Sequence, residues 1–146
     1  LVNYVLIAAF FIGLLFFKHS PPDIDTFKTL LLIFVELVLL SSLTLMVATV
    51  ASDAFSVIFM FFIYIVGHLM TYGRQLVDRM QNIVFKGLGD MLYTIVPNLE
   101  NFNIRDKVVV GVPVSWAYVA KTFSYGAIYT AIAILLAVYF FQKREV

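Results

Sequence analysis

Cysteine is absent from the chain, which excludes disulfides, thiolate metal sites and thiol nucleophiles and leaves the redox compartment open. Charge is scarce as well: Lys, Arg, Asp and Glu make up 13% of the residues, against about 25% in ordinary soluble domains. The net charge of +1 points neither to nucleic acid nor to an acidic substrate. Histidine occurs only as His19 and His68, neither of them in an HExxH arrangement or beside a cluster of acids, so the pattern of a metal site is missing. No GxxxxGK[ST] loop occurs, and Gly87-Leu-Gly89 lacks the preceding strand that a dinucleotide fingerprint needs. The chain is therefore expected to bind no cofactor of its own. With no acid–base pair or nucleophile constellation, it is not expected to be an enzyme.

What fills the chain instead is apolar: 62% of the residues are hydrophobic and the mean hydropathy is +0.98. This composition points to an integral membrane protein, whose helices bury their sides in lipid and in one another. The fold class expected is all-α, a bundle of four transmembrane helices with a module of amphipathic and short helices between the third and fourth. A single transmembrane domain over residues 1–146 accommodates it, with spans at about 1–17, 27–51, 54–72 and 114–141 and an extramembrane module at 73–113.

The first run begins at Leu1, without Met and without the basic region and cleavage site of a secretory signal, as expected of a piece of a longer chain. Its end is marked by Lys18-His-Ser-Pro-Pro-Asp-Ile-Asp25, where Asp25 or Thr26 is placed to cap the second span. Were residues 27–72 one straight helix, it would reach about 69 Å at ~1.5 Å per residue, more than twice a hydrocarbon core of ~30 Å. The chain must turn, and the only punctuation is Ser52-Asp53, which makes Asp53 the expected cap of a third helix.

Within 73–113, Leu76, Val77, Met80, Ile83 and Val84 recur at helical spacing opposite Arg74, Gln75, Asp78, Gln81 and Asn82, an amphipathic pattern closed by Gly87. Asp90 is placed to cap a short helix over residues 91–95. Residues 93–107 then read as a loop, because Pro97, Asn98, Asn101 and Asn103 favour turns. Val96, Leu99, Phe102 and Ile104 are spread through it, so it should pack against something. Pro113 stands where the last helix could begin. That helix carries Trp116 and Tyr118 at one end and Tyr139 at the other, as interfacial belts do.

Few residues stand out chemically. Glu36 is the one acid within an apolar span, where a carboxylate costs about 2.5 kcal/mol or more. It either lines a pathway or clamps helices, with Ser41 and Ser42 adding polarity nearby. For Gly126, Thr122, Thr130, Ala131, Ala133 and Ala137, close helix packing is the expected role.

Taken together, Val35-Glu-Leu-Val-Leu-Leu-Ser-Ser-Leu-Thr-Leu-Met-Val-Ala-Thr49, the tight turn after it, Tyr64-Ile-Val-Gly-His68, Tyr93-Thr-Ile-Val-Pro-Asn-Leu-Glu-Asn-Phe-Asn103 and the closing Phe141-Gln-Lys-Arg-Glu-Val146 resemble the type 2 ABC transporter permeases. The branch is the one linked to multi-copper enzyme maturation. The resemblance implies the C-terminal part of a six-helix permease in a prokaryotic cytoplasmic (inner) membrane. It also implies pairing with a second permease copy and with ATP-binding ABC subunits that supply the ATP, and export of a substrate. It places the 73–113 module outside, where Leu76, Met80, Ile83, Pro97, Asn98, Phe102 and Asn103 would form an external gate or clasp. The positive-inside count runs the other way: Lys18, Lys28, Arg74, Arg79, Lys86, Arg105 and Lys107 fall on one side and Lys143 and Arg144 on the other. The alternative function is a membrane scaffold whose 73–113 module docks an extracytoplasmic partner.

Overall fold

The computed structural model describes residues 1–17, 23–79, 86–87, 89–91 and 95–144, and among them the chain is helical with no strands. The elements are α1 (Val2–Phe17), α2 (Ile24–Ala48), α3 (Asp53–His68), α4 (Met70–Asp78), a 3-10 helix (Leu99–Phe102), α5 (Arg105–Val109) and α6 (Trp116–Arg144). They fall into two compact units, Leu1–Ser41 with Phe102–Ala131 and Ser42–Asn101 with Ile132–Val146.

Among the described residues two helices are long and apolar enough to cross a membrane, α2 with 25 residues and α6 with 29. At ~1.5 Å per residue they reach about 38 and 44 Å. The first and third expected spans are shorter, since α1 and α3 have 16 residues each. Each covers about 24 Å, less than the ~30 Å of a hydrocarbon core.

Each long helix turns one stripe inward. On α3 the buried residues are Ser56, Met60, Ile63 and Gly67, spaced as one helical face. On α2 they are Lys28, Leu32, Val35, Glu36, Leu39, Ser42 and Val47, and on α6 Val119, Thr122, Gly126 and Ala133. Small and polar side chains share these inner faces with Leu32, Val35, Leu39, Met60 and Ile63, while other bulky apolar residues such as Val57, Ile58, Ile128 and Leu135 are exposed. The packing role expected of Gly126, Thr122 and Ala133 is what their burial shows, whereas Ala131 is exposed.

Several boundaries differ from those expected. Helix α2 starts earlier, at Ile24 after Asp23, so neither Asp25 nor Thr26 is its cap; Pro21 and Pro22 lie outside the described residues. The turn after α2 is capped by Ser52 and not by Asp53. Ser52 has extended backbone (φ −71°, ψ 156°), its Oγ accepts from the Phe55 amide at 3.5 Å and its carbonyl from the Ser56 amide at 2.9 Å. Asp53 is already helical, where its charge faces the positive end of the α3 dipole. The third span does not continue to residue 72. It stops at His68 beside Gly67, which has the backbone freedom that weakens a helix, and α4 restarts at Met70.

In α4, Val77 is buried while Arg74 and Gln75 are exposed, as the amphipathic pattern predicts. Gly87, expected to end that helix, is itself helical, and so is Gly89 ahead of Asp90, which removes Asp90 as a cap. Residues 93–107 are not a bare loop: 99–102 form the 3-10 helix and α5 begins at Arg105. The last helix starts at Trp116, three residues beyond Pro113, with the Tyr118 amide bonded to Ser115 Oγ at 3.2 Å.

Gly67 and Gly126 mark two places where a helix is approached closely. A Cβ built on Gly67 would stand 2.6 Å from Leu99 Cγ and 3.0 Å from the Pro97 carbonyl, and one on Gly126 would stand 2.5 Å from Val35 Cγ1. Gly67→Val and Gly126→Val are each expected to lower stability by about 1–3 kcal/mol, the range for overpacking. Surface Gly13→Ala, where nothing lies within 4 Å of the added carbon, should leave it unchanged or slightly raised. Thermal unfolding of the purified variants in detergent checks both.

Candidate functional site

The passage singled out in the sequence, residues 96–104, is seated by its apolar side chains. Val96 and Pro97 are buried, and Leu99, Phe102 and Ile104 are fully so. In the unit that contains α3, Leu99 lies against the bare face of Gly67. The turn leading into it is held by Asn98, whose Oδ1 accepts from the Glu100 amide at 3.1 Å, the turn chemistry expected of Asn after Pro.

In the other unit, Phe102 rests on Gly126, with ring atoms 3.1 Å from where a Cβ would be, next to Val35. Its ring also meets Tyr125 at 6.2 Å between centroids and 44°, and Tyr125 in turn meets Tyr129 at 4.8 Å. Among the described residues, Asn103 Oδ1 is a buried oxygen with no hydrogen-bond partner. Of the residues expected to form a gate or clasp, Pro97 and Asn98 thus belong to one unit and Phe102 and Asn103 to the other. The side chain of Leu76, together with Met80 and Ile83, lies outside the described residues.

Glu36 is 5% exposed and Ser42 3%, and neither is without a partner. Ser41, grouped with them from the sequence, is exposed and returns its hydroxyl to the Leu37 carbonyl at 2.7 Å. Glu36 and Ser42 are therefore inward-facing polar groups on α2, and Ser41 is not.

The sequence reading missed Lys28. It counted this residue only as a topological charge, yet the side chain is buried where α2 begins. Its ammonium donates to Asp25 Oδ1 at 2.6 Å and to the Val114 carbonyl at 2.6 Å, and it stands 4.9 Å from the centroid of the Trp116 ring. Carboxylate, carbonyl and aromatic face together replace the water that an ammonium loses on burial, and the Trp116 face adds a cation–π attraction. The i,i+3 spacing of Asp25 and Lys28 was visible in the chain. Val114, 86 residues away, was not.

Among the described residues no group of three His, Cys, Asp or Glu side chains comes together in a way that could hold a metal ion. His68 lies on Tyr64, with its Nδ1 3.1 Å from the Tyr64 carbonyl and its ring 4.4 Å from the tyrosine ring. His19 is outside the described residues. No protein-family model matches the chain, and no curated protein and no solved structure matches it either.

The Lys28 cage leads to a double-mutant test. Asp25→Asn leaves a buried ammonium without its carboxylate and should lower the unfolding midpoint. Adding Lys28→Met, which keeps the aliphatic stem but removes the charge, should recover most of the loss. If the double variant were no more stable than Asp25→Asn alone, the ion pair would not be what holds this end of α2.

Proposed function

We propose that the chain forms the membrane-spanning part of a permease subunit of an ABC-type exporter, driven by separate ATP-binding subunits. The observation that carries this reading is the burial of Val96, Leu99, Phe102 and Ile104. These residues belong to the passage with the most specific resemblance to type 2 permeases, and they are spent on internal packing. A loop built to dock an extracytoplasmic partner would keep such side chains available at its surface, so their burial favours a clasp within a permease over a scaffold.

In this reading α2 and α6 are full spans, and α1 and α3 complete a four-span set as the C-terminal part of a six-helix subunit. The short α3 is extended by α4 towards the external surface. ATP-driven closure of the partner subunits rocks the spans, and residues 96–104 hold the external module in register while a pathway opens between two permease copies. Glu36, inward-facing on α2, acts within the bundle and not at the lipid face.

The same reading puts the turn around Ser52 and the Lys143–Arg144 end in the cytoplasm of a prokaryotic cell and the 73–113 module outside. Lys28 weakens the opposing positive-inside count, because a lysine neutralised by Asp25 and buried is not a free surface charge.

Two experiments test the proposal. Affinity purification of the full-length protein from its native membrane should recover an ATP-binding subunit carrying a Walker motif; a complex lacking any such subunit would sink the permease reading and favour the scaffold. Gln75, on the polar face of α4, is exposed and the chain has no native cysteine, so Gln75→Cys gives a unique handle in this segment. In intact cells it should react with a membrane-impermeant maleimide, and protection until lysis would invert the orientation.

A further inference from the structure

An open cleft of about 440 Å³ lies within the unit that contains α1, the first part of α2 and α5. This is within the ~300–1,000 Å³ range of small-molecule sites. Its walls are Tyr4 and Ala8 of α1, Thr29 and Leu30 of α2, and Arg105 and Val109 of α5 with their apolar neighbours.

The polar atoms on these walls are largely turned away. The Tyr4 hydroxyl donates to the Leu30 carbonyl, and Thr29 Oγ1 donates to the Asp25 carbonyl at 2.8 Å. The cleft therefore presents carbon almost throughout. Arg105 is the exception. It is exposed, and among the described residues it has neither a hydrogen bond nor an ion pair.

Next to it, Val109 and Val110 are 85% and 77% exposed, and Gly111 turns the chain at φ 75° towards Trp116, itself 59% exposed. Lys107 adds a second cation, 4.9 Å above the Tyr118 ring. A tip of exposed valines flanked by Trp, Tyr and two cations has the composition of a segment seated among lipid headgroups.

We infer that this cleft holds one acyl chain of an anionic phospholipid, with the headgroup phosphate on the Arg105 guanidinium. An apolar trough with a lone cation at its edge is complementary to an anionic amphiphile. The inference rests on the membrane reading above and extends it to a specific lipid subsite, separate from the residues of the clasp.

The test uses the full-length protein in phosphatidylcholine vesicles containing a trace of phosphatidylglycerol, or of phosphatidylcholine, with a photoactivatable diazirine in one acyl chain. Mass spectrometry of the crosslinked peptides is expected to place the phosphatidylglycerol probe on residues 4–11 and 105–109, in preference to the phosphatidylcholine probe. Arg105→Gln should reduce that preference about fivefold, the order of effect of one basic residue at an anionic surface. Ala8→Trp should fill the cleft and abolish labelling there for both probes.

Labelling of the exposed faces of α2 and α6, for instance at Leu45 and Ile128, is the internal control for both variants. If those faces are labelled but the cleft is not, or if Arg105→Gln leaves the preference unchanged, the lipid subsite is overturned and the membrane reading stands. If neither is labelled, both fail. A crosslink from the cleft to a peptide of the same sequence in a second copy would replace the lipid with a homomeric contact.

Discussion

Val35 of α2 comes as close to α6 as it does, with the Phe102 ring beside it, only because Gly126 has no Cβ, and the closeness of that approach governs the packing around it. The ring occupies the space a side chain would need, Val35 of α2 reaches the same spot, and Tyr125 and Tyr129 continue the aromatic row along the helix. In the other unit Gly67 does the same for Leu99. Where helices are surrounded by lipid, burial away from water supplies little drive for association, and van der Waals fit at small residues takes its place. The residues that matter most for these contacts are thus the ones with no side chain to show. In the proposed permease, such a fit transmits rocking of the spans to the external segment without a flexible link.

The chain handles its few polar groups in a related way. An ammonium or a carboxylate in apolar surroundings is costly unless paired. Lys28 is enclosed by Asp25, the Val114 carbonyl and Trp116, and Glu36 is buried with a partner. Hydroxyls are mostly returned to the backbone: Ser41 to Leu37, Ser56 to Ser52, Ser124 to Ala120. Arg105, by contrast, stands exposed at the edge of an apolar cleft.

Much of this was legible in the linear chain. The all-helical class follows from long apolar runs with few breakers, and the inward packing of residues 96–104 follows from four apolar side chains inside a turn-rich stretch. Close packing at Gly126 was also expected, but that Phe102 would be its partner, and that Gly67 would receive Leu99, was not legible, because local sequence does not say which distant side chain arrives. The cap at Ser52 in place of Asp53 was missed for a smaller reason. Both residue types suit the position, and the choice depends on which one adopts extended backbone at the turn.

Composition and periodicity alone determined that the chain is helical, that α2 and α6 are long enough to span, and which faces of α4 and of the 96–104 passage are apolar. These are short-range properties, set by side-chain type and a repeat of about 3.6 residues. Only the tertiary structure decided that Leu99 rests on Gly67, that Lys28 is held by a carbonyl 86 residues away, and that α1, α2 and α5 leave a cleft with one cation on its wall. Each of these depends on which distant backbone comes close in space, and nothing in the local preference of a residue encodes that.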